Sequence, residues 1–362
     1  MTPLRGFTVA ITAERRRDEL GALLERRGAR VVSAPAITII PLLDDAALRA
    51  ATVACVEHAP DVVVATTGIG FRGWLEAAEG WGVGEELRGG LGAARLIARG
   101  AKPCGAIRAA GLTEQWSAPT ESCAEILDKL LAEGVAGRRI AVQLHGGPQD
   151  EFTTALRTAG AEVVEVPVYR WTAREDQEPL RRLVDQIIGG VVDAVTFTSA
   201  PAVTALLDAA GDGRAPAVLD AFRDGVLAAC VGPVTAAPLR ERDVPTLVPD
   251  RSRLGALVRA VTEALPSRAR RLEVAGRTVE LRGHAAIVDG EFLPLAPASM
   301  AVLRALAAQP GTVVSRARLA SALPSGTQGA IDMAVARLRS SLGSADLIET
   351  VIKRGYRLRT SA

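Results

Sequence analysis

The chain is poor in the residues from which disulfide frameworks, metal sites and membrane spans are built. Its 362 residues include four cysteines, Cys55, Cys104, Cys123 and Cys230, and only three histidines. The cysteines are isolated, without a Cys-x-x-Cys pair, so neither a disulfide framework nor a zinc site is indicated and the thiols read as small buried apolar residues. No metal or organic cofactor is expected. No window holds eighteen uninterrupted apolar residues, and the apolar stretch near the start is far too short for a signal sequence or a span. A cytoplasmic location away from membranes is the expectation. Lysine is almost missing as well: Lys102, Lys129 and Lys353 are the only three, and arginine carries the remaining positive charge. What is present, 48% hydrophobic and 23% charged residues, is the composition of a globular chain long enough for two or three domains, each with its own core.

The charge is distributed unevenly. From Pro266 onward there are fourteen Lys and Arg against seven Asp and Glu, a net of +7, whereas residues 1–265 hold 29 against 34. A basic small domain attached to an acidic larger one is expected when one part approaches a polyphosphate and the other does not. Alternatively, the arginines merely solvate a surface. Residues 330–359 weigh against that second reading, because Ile331, Val335, Leu338 and Leu342 recur at i, i+4, i+7 and i+11 and so form one buried helical stripe. Met333, Ala336, Arg337 and Ser340 point the other way, a guanidinium among small residues that can enter a major groove about 12 Å wide. Residues 347–351 and 356–359 then read as paired strands around Ile352-Lys353-Arg354-Gly355. The order is that of a winged helix reading double-stranded DNA.

Residues 268–362 resemble the DNA-binding domain of the OmpR/PhoB response-regulator family over the whole segment. In that family a small N-terminal sheet precedes three helices and a C-terminal hairpin. Here residues 272–288 carry strand-like stretches interrupted by Gly276 and Gly283, a helix follows over residues 299–308, and Ser315 stands as the N-cap of a helix over residues 316–323. The resemblance implies a DNA-contacting set of Gln328, Met333, Arg337, Arg339 and Ser340 on the helix, with Lys353, Arg354 and Arg357 on the wing. One such module reaches few base pairs, so two copies on repeated half-sites, a homodimer on DNA, are expected. Two departures stand out: the family's usual arginine pair is Ala336-Arg337 here, and the arginine usual after Thr-Val in the wing is Ile352. No phosphoacceptor aspartate of a receiver domain is recognisable, so activation by phosphorylation is not expected.

The first 265 residues repeat a different unit, a short apolar strand, a polar loop, then an amphipathic helix. Strands are predicted over residues 7–12, 29–33, 61–66, 95–98, 140–144, 163–168, 194–198, 226–231 and 246–248. Such alternation predicts the doubly wound α/β class, whose ligands sit beyond the carboxyl ends of the strands. The loops there share a chemistry: Thr66-Thr67-Gly68, His145-Gly146-Gly147, Thr198-Ser199 and Gly232-Pro233-Val234-Thr235. Hydroxyls and bare amides at helix N-termini suit carboxylate or phosphate. They are also ordinary helix caps and turns.

The order of these segments resembles uroporphyrinogen-III synthase over about residues 4–262. It carries an opening Val-Ala-Ile-Thr strand, Asp61-Val-Val-Val-Ala-Thr-Thr-Gly, Glu165-Val-Pro-Val-Tyr-Arg, Asp193-Ala-Val-Thr-Phe-Thr-Ser and Cys230-Val-Gly-Pro-Val-Thr. The resemblance implies two doubly wound α/β lobes, the second inserted in the first through a two-strand ladder, before the C-terminal winged helix-turn-helix domain. Lobe one is expected at residues 1–38 and 173–264, lobe two at 39–172, and the DNA-binding domain at 265–362. That family closes the linear tetrapyrrole hydroxymethylbilane without a cofactor, acting on a substrate with eight carboxylates. Tyr169 falls where the family carries a functional tyrosine, a proton donor to the leaving hydroxyl; by its own position after an apolar strand it equally reads as a hinge or core aromatic. The ligand-binding set carried over is Thr12, Thr66, Thr67, Gly68, His145, Gly146, Gly147, Ser199, Gly232 and Thr235.

Two functions follow from the combination. One is a transcription regulator whose synthase-like module senses a tetrapyrrole or other polycarboxylate, or docks another transcription regulator, with a cleft between lobes as its two-state element. The other is a working synthase carrying a DNA-binding tail. The fusion also resembles an actinobacterial regulator type of nitrate and nitrite assimilation, a link supported by the sirohaem that assimilatory nitrite reductase requires, which is made from uroporphyrinogen III.

Overall fold

A computed structural model describes residues 2–42, 45–146, 150–323, 328–343 and 345–359. The chain divides into two compact units, one formed by residues 37–173 and the other by residues 1–36 together with 174–362. All nine α/β strands expected from the sequence form, in two sheets with helices between successive strands.

In the inserted unit a six-stranded sheet has the order Ile37–Pro41, Glu162–Ala173, Arg139–Gly146, Val62–Ala65, Arg95–Ala98, Trp116–Ser117. All neighbours are parallel except the first pair, an antiparallel ladder from Ile37 opposite Ala173 to Pro41 opposite Tyr169. This ladder explains why the strand expected at 163–168 runs on to Ala173. Its first half pairs with Arg139–Gly146 and its second half gains a new partner in the residues that enter the unit. The short strand Trp116–Ser117 escaped the sequence reading because two residues carry no periodicity. Trp74 and Phe71, both fully buried and edge to face, anchor one side of the sheet.

The other unit begins with a five-stranded parallel sheet of order Thr246–Leu247, Leu227–Cys230, Ala194–Phe197, Thr8–Ile11, Arg30–Ser33. Its central strands are wholly buried, as strands covered on both faces must be. Buried surroundings push the thiols of Cys55 and Cys230 up to about 11 and about 12, which removes thiolate reactivity.

The same unit carries the basic domain. Four antiparallel strands, Arg270–Val274, Arg277–Arg282, Ala285–Val288 and Glu291–Pro294, precede helices Pro297–Ala307, Arg316–Ser321 and Gln328–Ser341 and the hairpin Ile348–Val351 with Gly355–Leu358. Ser315 caps its helix by accepting from the Arg318 amide, as expected. One core joins sheet, helices and hairpin, with Leu303, Leu306, Leu319 and Leu338 at no exposure.

This domain is seated on the parallel sheet by arginines. Arg282, buried, donates to the carbonyls of Pro3 (3.1 Å) and Arg5 (2.7 Å), pairs with Glu280 and stacks over the Phe7 ring. Arg304 donates to the carbonyls of Gly190 and Gly283. Asp193 accepts from the Thr8 amide at 2.7 Å, with the Arg304 guanidinium 4.0 Å away, and any Cβ at Gly283 would overlap its carboxylate. Arg270, Arg282, Arg304 and Asp193 line a cavity of about 220 Å³ here, and His284 lies against Thr8.

Burial pushes the Asp193 carboxyl up to about 6, against the opposing pull of the Thr8 amide and Arg304. In an unfolded chain an aspartate titrates near ~3.9. The folded state therefore favours protonated Asp193, and this contribution is fully present below ~3.9 and lost as pH rises through about 6. His284 acts in the opposite direction, since burial first and Arg30 second hold it below the usual imidazole value. Asp193→Asn should accordingly raise the melting temperature more at pH 7.5 than at pH 4. Equal effects at both values, measured by thermal denaturation, would show that burial of the charge is not the cause.

Candidate nucleic-acid interface and ligand loops

The stripe of Ile331, Val335 and Leu338 in the helix Gln328–Ser341, continued by Leu342 just after it, is at most 1% exposed. Each such side chain removed from water contributes about 1.5–3 kcal/mol, enough together to fix the rotation of the helix. Met333 is then 57% exposed, and Arg337 and Ser340 lie on the same open surface. Gln328 opens the helix, and its side chain lies outside the described structure.

Asp332, also outward, is engaged. It accepts the Tyr356 hydroxyl at 2.6 Å and pairs with Arg316, so the helix is tied to the wing strand and to the preceding helix. Burial and the neighbouring Asp332 raise the Tyr356 phenol above its usual value, so it remains a donor. Sequence reasoning missed this three-residue connection, because the partners are far apart in the chain and carry no shared spacing.

The wing turn exposes Ile352 (81%), Lys353 and Arg354. Its geometry depends on Gly355, which has φ +139° and where any Cβ would overlap the Val314 carbonyl. Lys353 itself has φ 62°. Two cations expected at DNA also have protein partners. Arg339 donates through Nε and Nη2 to the Ile348 carbonyl (3.2 and 2.7 Å) and through Nη2 to Thr350 Oγ1 (2.8 Å), while Arg357 pairs with Glu349 at 2.9 Å. Arg357 holds the Glu349 carboxyl below the ordinary range, mainly by hydrogen bonding. Arg339 and Arg357 thus position the wing, and Met333, Arg337, Ser340, Lys353 and Arg354 form the open surface. Among the described residues Arg337 has no hydrogen-bonding partner.

In the inserted unit, Thr66 is fully buried and donates to the Gln143 carbonyl, so its hydroxyl fastens two strands together. Thr67 caps the helix Gly68–Gly80 by accepting from the Gly70 amide, and it also accepts from Gln143 Nε2 at 2.8 Å. Gln143 is a buried polar residue that the sequence reading did not select. The backbone is close-packed here, since a Cβ at Gly68 would lie 2.5 Å from the Lys102 carbonyl and one at Gly70 would overlap Gln143 Nε2. His145 and Gly146 end the strand Arg139–Gly146, where the register shifts, and Gly147 lies outside the described residues. Tyr169 is half-buried, opposite Pro41 in the antiparallel ladder, and packs against the core of Phe71 and Trp74.

In the other unit, Thr12 is fully buried and donates to the Thr196 carbonyl, while Thr196 donates to that of Ala10. These hydroxyls lace the central strands. Ser199 and Gly232 precede the helices Ala200–Ala210 and Pro233–Arg240, and neither helix has a side-chain cap. Of their first-turn amides Pro201 and Pro233 supply none and that of Ala202 donates to the Ser199 carbonyl at 3.2 Å, so the amides without a side-chain cap are those of Ala200, Val234 and Thr235. Ser252 approaches Gly232, where a Cβ would meet its Oγ at 2.6 Å, and Thr235 is buried in the first turn. No group of three His, Cys, Asp or Glu that could hold a metal ion occurs among the described residues. No helix among them is long and apolar enough to cross a membrane.

Residues 18–259 match the family described as uroporphyrinogen-III synthase HemD, and residues 290–358 match that described as transcriptional regulatory protein, C terminal. The uncharacterized protein YjjA of Bacillus subtilis (strain 168) is 31% identical over 260 residues, 70% of this chain and 94% of that one. A putative uroporphyrinogen-III synthase of Methanothermobacter thermautotrophicus is 30% identical over 148 residues, 41% of this chain and 58% of that one. Among solved structures, a mutant uroporphyrinogen III synthase from the extremely thermophilic bacterium Thermus thermophilus is 30% identical with a TM-score of 0.62, covering 72% of this chain and 99% of that one.

The division of the arginines is testable by stability alone. Arg339→Ala should cost about 1–3 kcal/mol by removing charge-assisted hydrogen bonds to the wing, whereas Arg337→Ala should leave denaturant stability unchanged. Equal losses in the two variants would refute the assignment.

Proposed function

The chain belongs to the uroporphyrinogen-III synthase family, and we propose that this member is a transcription regulator that binds double-stranded DNA through its C-terminal domain. The observation that carries the reading is the open helix surface of Met333, Arg337 and Ser340, on a domain whose wing tip exposes Lys353 and Arg354. An arginine without a hydrogen-bonding partner among the described residues, with Ala336 and Ser340 on the same exposed surface, can reach base edges in the major groove, while the wing cations neutralise phosphates. One such module reaches few base pairs, so two copies on repeated half-sites provide specific affinity.

The synthase-like module senses a polycarboxylate, a tetrapyrrole being the class its family implies, or it docks a second regulator. The uncapped amides after Ser199 and Gly232 support an anionic ligand. Nitrate and nitrite assimilation is the process we propose for control, through the dependence of nitrite reductase on a tetrapyrrole made from uroporphyrinogen III. A second reading, a working synthase with an appended DNA-binding domain, is supported by the retention of Tyr169 at its half-buried position on the ladder.

Arg337→Ala should weaken binding to a cognate duplex by about 1–3 kcal/mol while affecting unrelated sequences little. Lys353→Ala should weaken all sequences alike and flatten the salt dependence by about one charge. Gel-shift titrations at two salt concentrations measure both, and unchanged affinity in both variants would overturn the DNA reading. For the second reading, purified protein should turn over hydroxymethylbilane and Tyr169→Phe should abolish that turnover while leaving melting temperature nearly unchanged; no turnover by the wild type eliminates it.

A further inference from the structure

The two arginines that seat the basic domain grip particular places. Arg282 donates to the carbonyls of Pro3 and Arg5, and the His284 amide donates to the Gly6 carbonyl at 2.9 Å. This segment leads directly into the strand Thr8–Ile11. Arg304, on the helix Pro297–Ala307, donates to the Gly190 carbonyl, in the segment that leads into the strand Ala194–Phe197. Those two strands are neighbours in the parallel sheet, with Val9 opposite Ala194 and Ile11 opposite Thr196. Their far ends carry Thr12 and Ser199, two of the candidate ligand residues.

The DNA-binding domain therefore holds the entrances of the two strands whose exits carry those residues. Each strand is four residues long, about 13 Å at the usual rise, and rigid because it is hydrogen-bonded on both sides and buried on both faces. Asp193 closes the arrangement: it accepts the amide of Thr8 from one strand entrance, precedes Ala194 in the other, and lies against Gly283 of the DNA-binding domain.

We propose that Arg304, with Arg282, is the coupling element between DNA binding and the synthase-like sheet, holding the entrances of Thr8–Ile11 and Ala194–Phe197 so that occupancy of the DNA surface changes the opening of both strands. This rests on the reading that the chain binds DNA. Because coupling free energies are reciprocal, a ligand bound at the exits of these strands would change DNA affinity by the same factor. The physical route is local: Arg304 bridges two carbonyls that belong to different domains, so a domain ordered by DNA restricts the opening of residues 190–197.

The experiment is amide hydrogen exchange on the full-length chain, with and without a saturating duplex that the chain itself has selected from a random library. In the wild type, DNA should slow exchange at residues 8–12 and 194–198 about fivefold or more. Arg304→Ala should reduce the slowing at residues 194–198 to less than about twofold while leaving duplex affinity within about threefold of wild type. Arg304→Lys keeps the charge and the stem but cannot bridge both carbonyls, and the same loss is expected. Full slowing in either variant, or none in a wild type that does bind the duplex, overturns the coupling and leaves the regulator reading intact. If selection recovers no duplex, both fall together.

Discussion

A parallel sheet has two chemically different edges, and the organisation of the chain follows from that constraint. Every strand leaves its sheet at one edge, so the helices that follow present their unbonded first-turn amides there. The uncapped starts after Ser199 and Gly232 lie at that edge of the five-stranded sheet. The opposite edge has only the segments entering the strands, whose carbonyls at Pro3, Arg5, Gly6 and Gly190 accept hydrogen bonds from the basic domain. An edge that carries helix N-termini and an edge whose carbonyls accept from arginines thus arise from the direction of the chain rather than from any special motif.

The arginines of this nearly lysine-free chain divide by geometry more than by charge. Arg282 is buried because a planar guanidinium can satisfy two carbonyls, a carboxylate and an aromatic face at once, which an ammonium cannot do in the same geometry. Arg339 performs a similar task in bracing the wing. Arg337, two residues before Arg339 in the helix, is exposed. Net charge marks the domain as basic, and the hydrogen-bond partners decide which cations remain available.

Periodic features were legible in the sequence and tertiary partnerships were not. The stripe of Ile331, Val335, Leu338 and Leu342 repeats with the helix period, so the buried surface and the outward position of Arg337 could be read directly. The same holds for the α/β strands, each a short apolar run between turn residues. The partners of Arg339 and Arg357 could not be read, because a long flexible side chain reaches whichever carbonyl or carboxylate the fold brings near. Thr12 and Thr66 carry the residue type of a ligand loop, yet one residue of register places their hydroxyls on backbone carbonyls inside the sheet. Gln143 lay in an apolar strand pattern and gave no signal except its polarity, while Gly283, which does interrupt the strands as read, gave no sign that it also admits the Asp193 carboxylate.

The insertion of residues 37–173 also sets an order of events during synthesis. The inserted unit pairs its first strand with its last, so it can close as soon as residue 173 has left the ribosome. Thr8–Ile11 is less fortunate: it can pair with Arg30–Ser33 at once, but its other neighbour, Ala194–Phe197, is about 185 residues downstream. At ~5–20 residues per second the nascent chain waits for roughly ten to forty seconds with a strand that is wholly buried in the folded protein open on one side. An unpaired strand edge held for that long is open to association with other chains, and slower synthesis between residues 173 and 194 would lengthen its exposure.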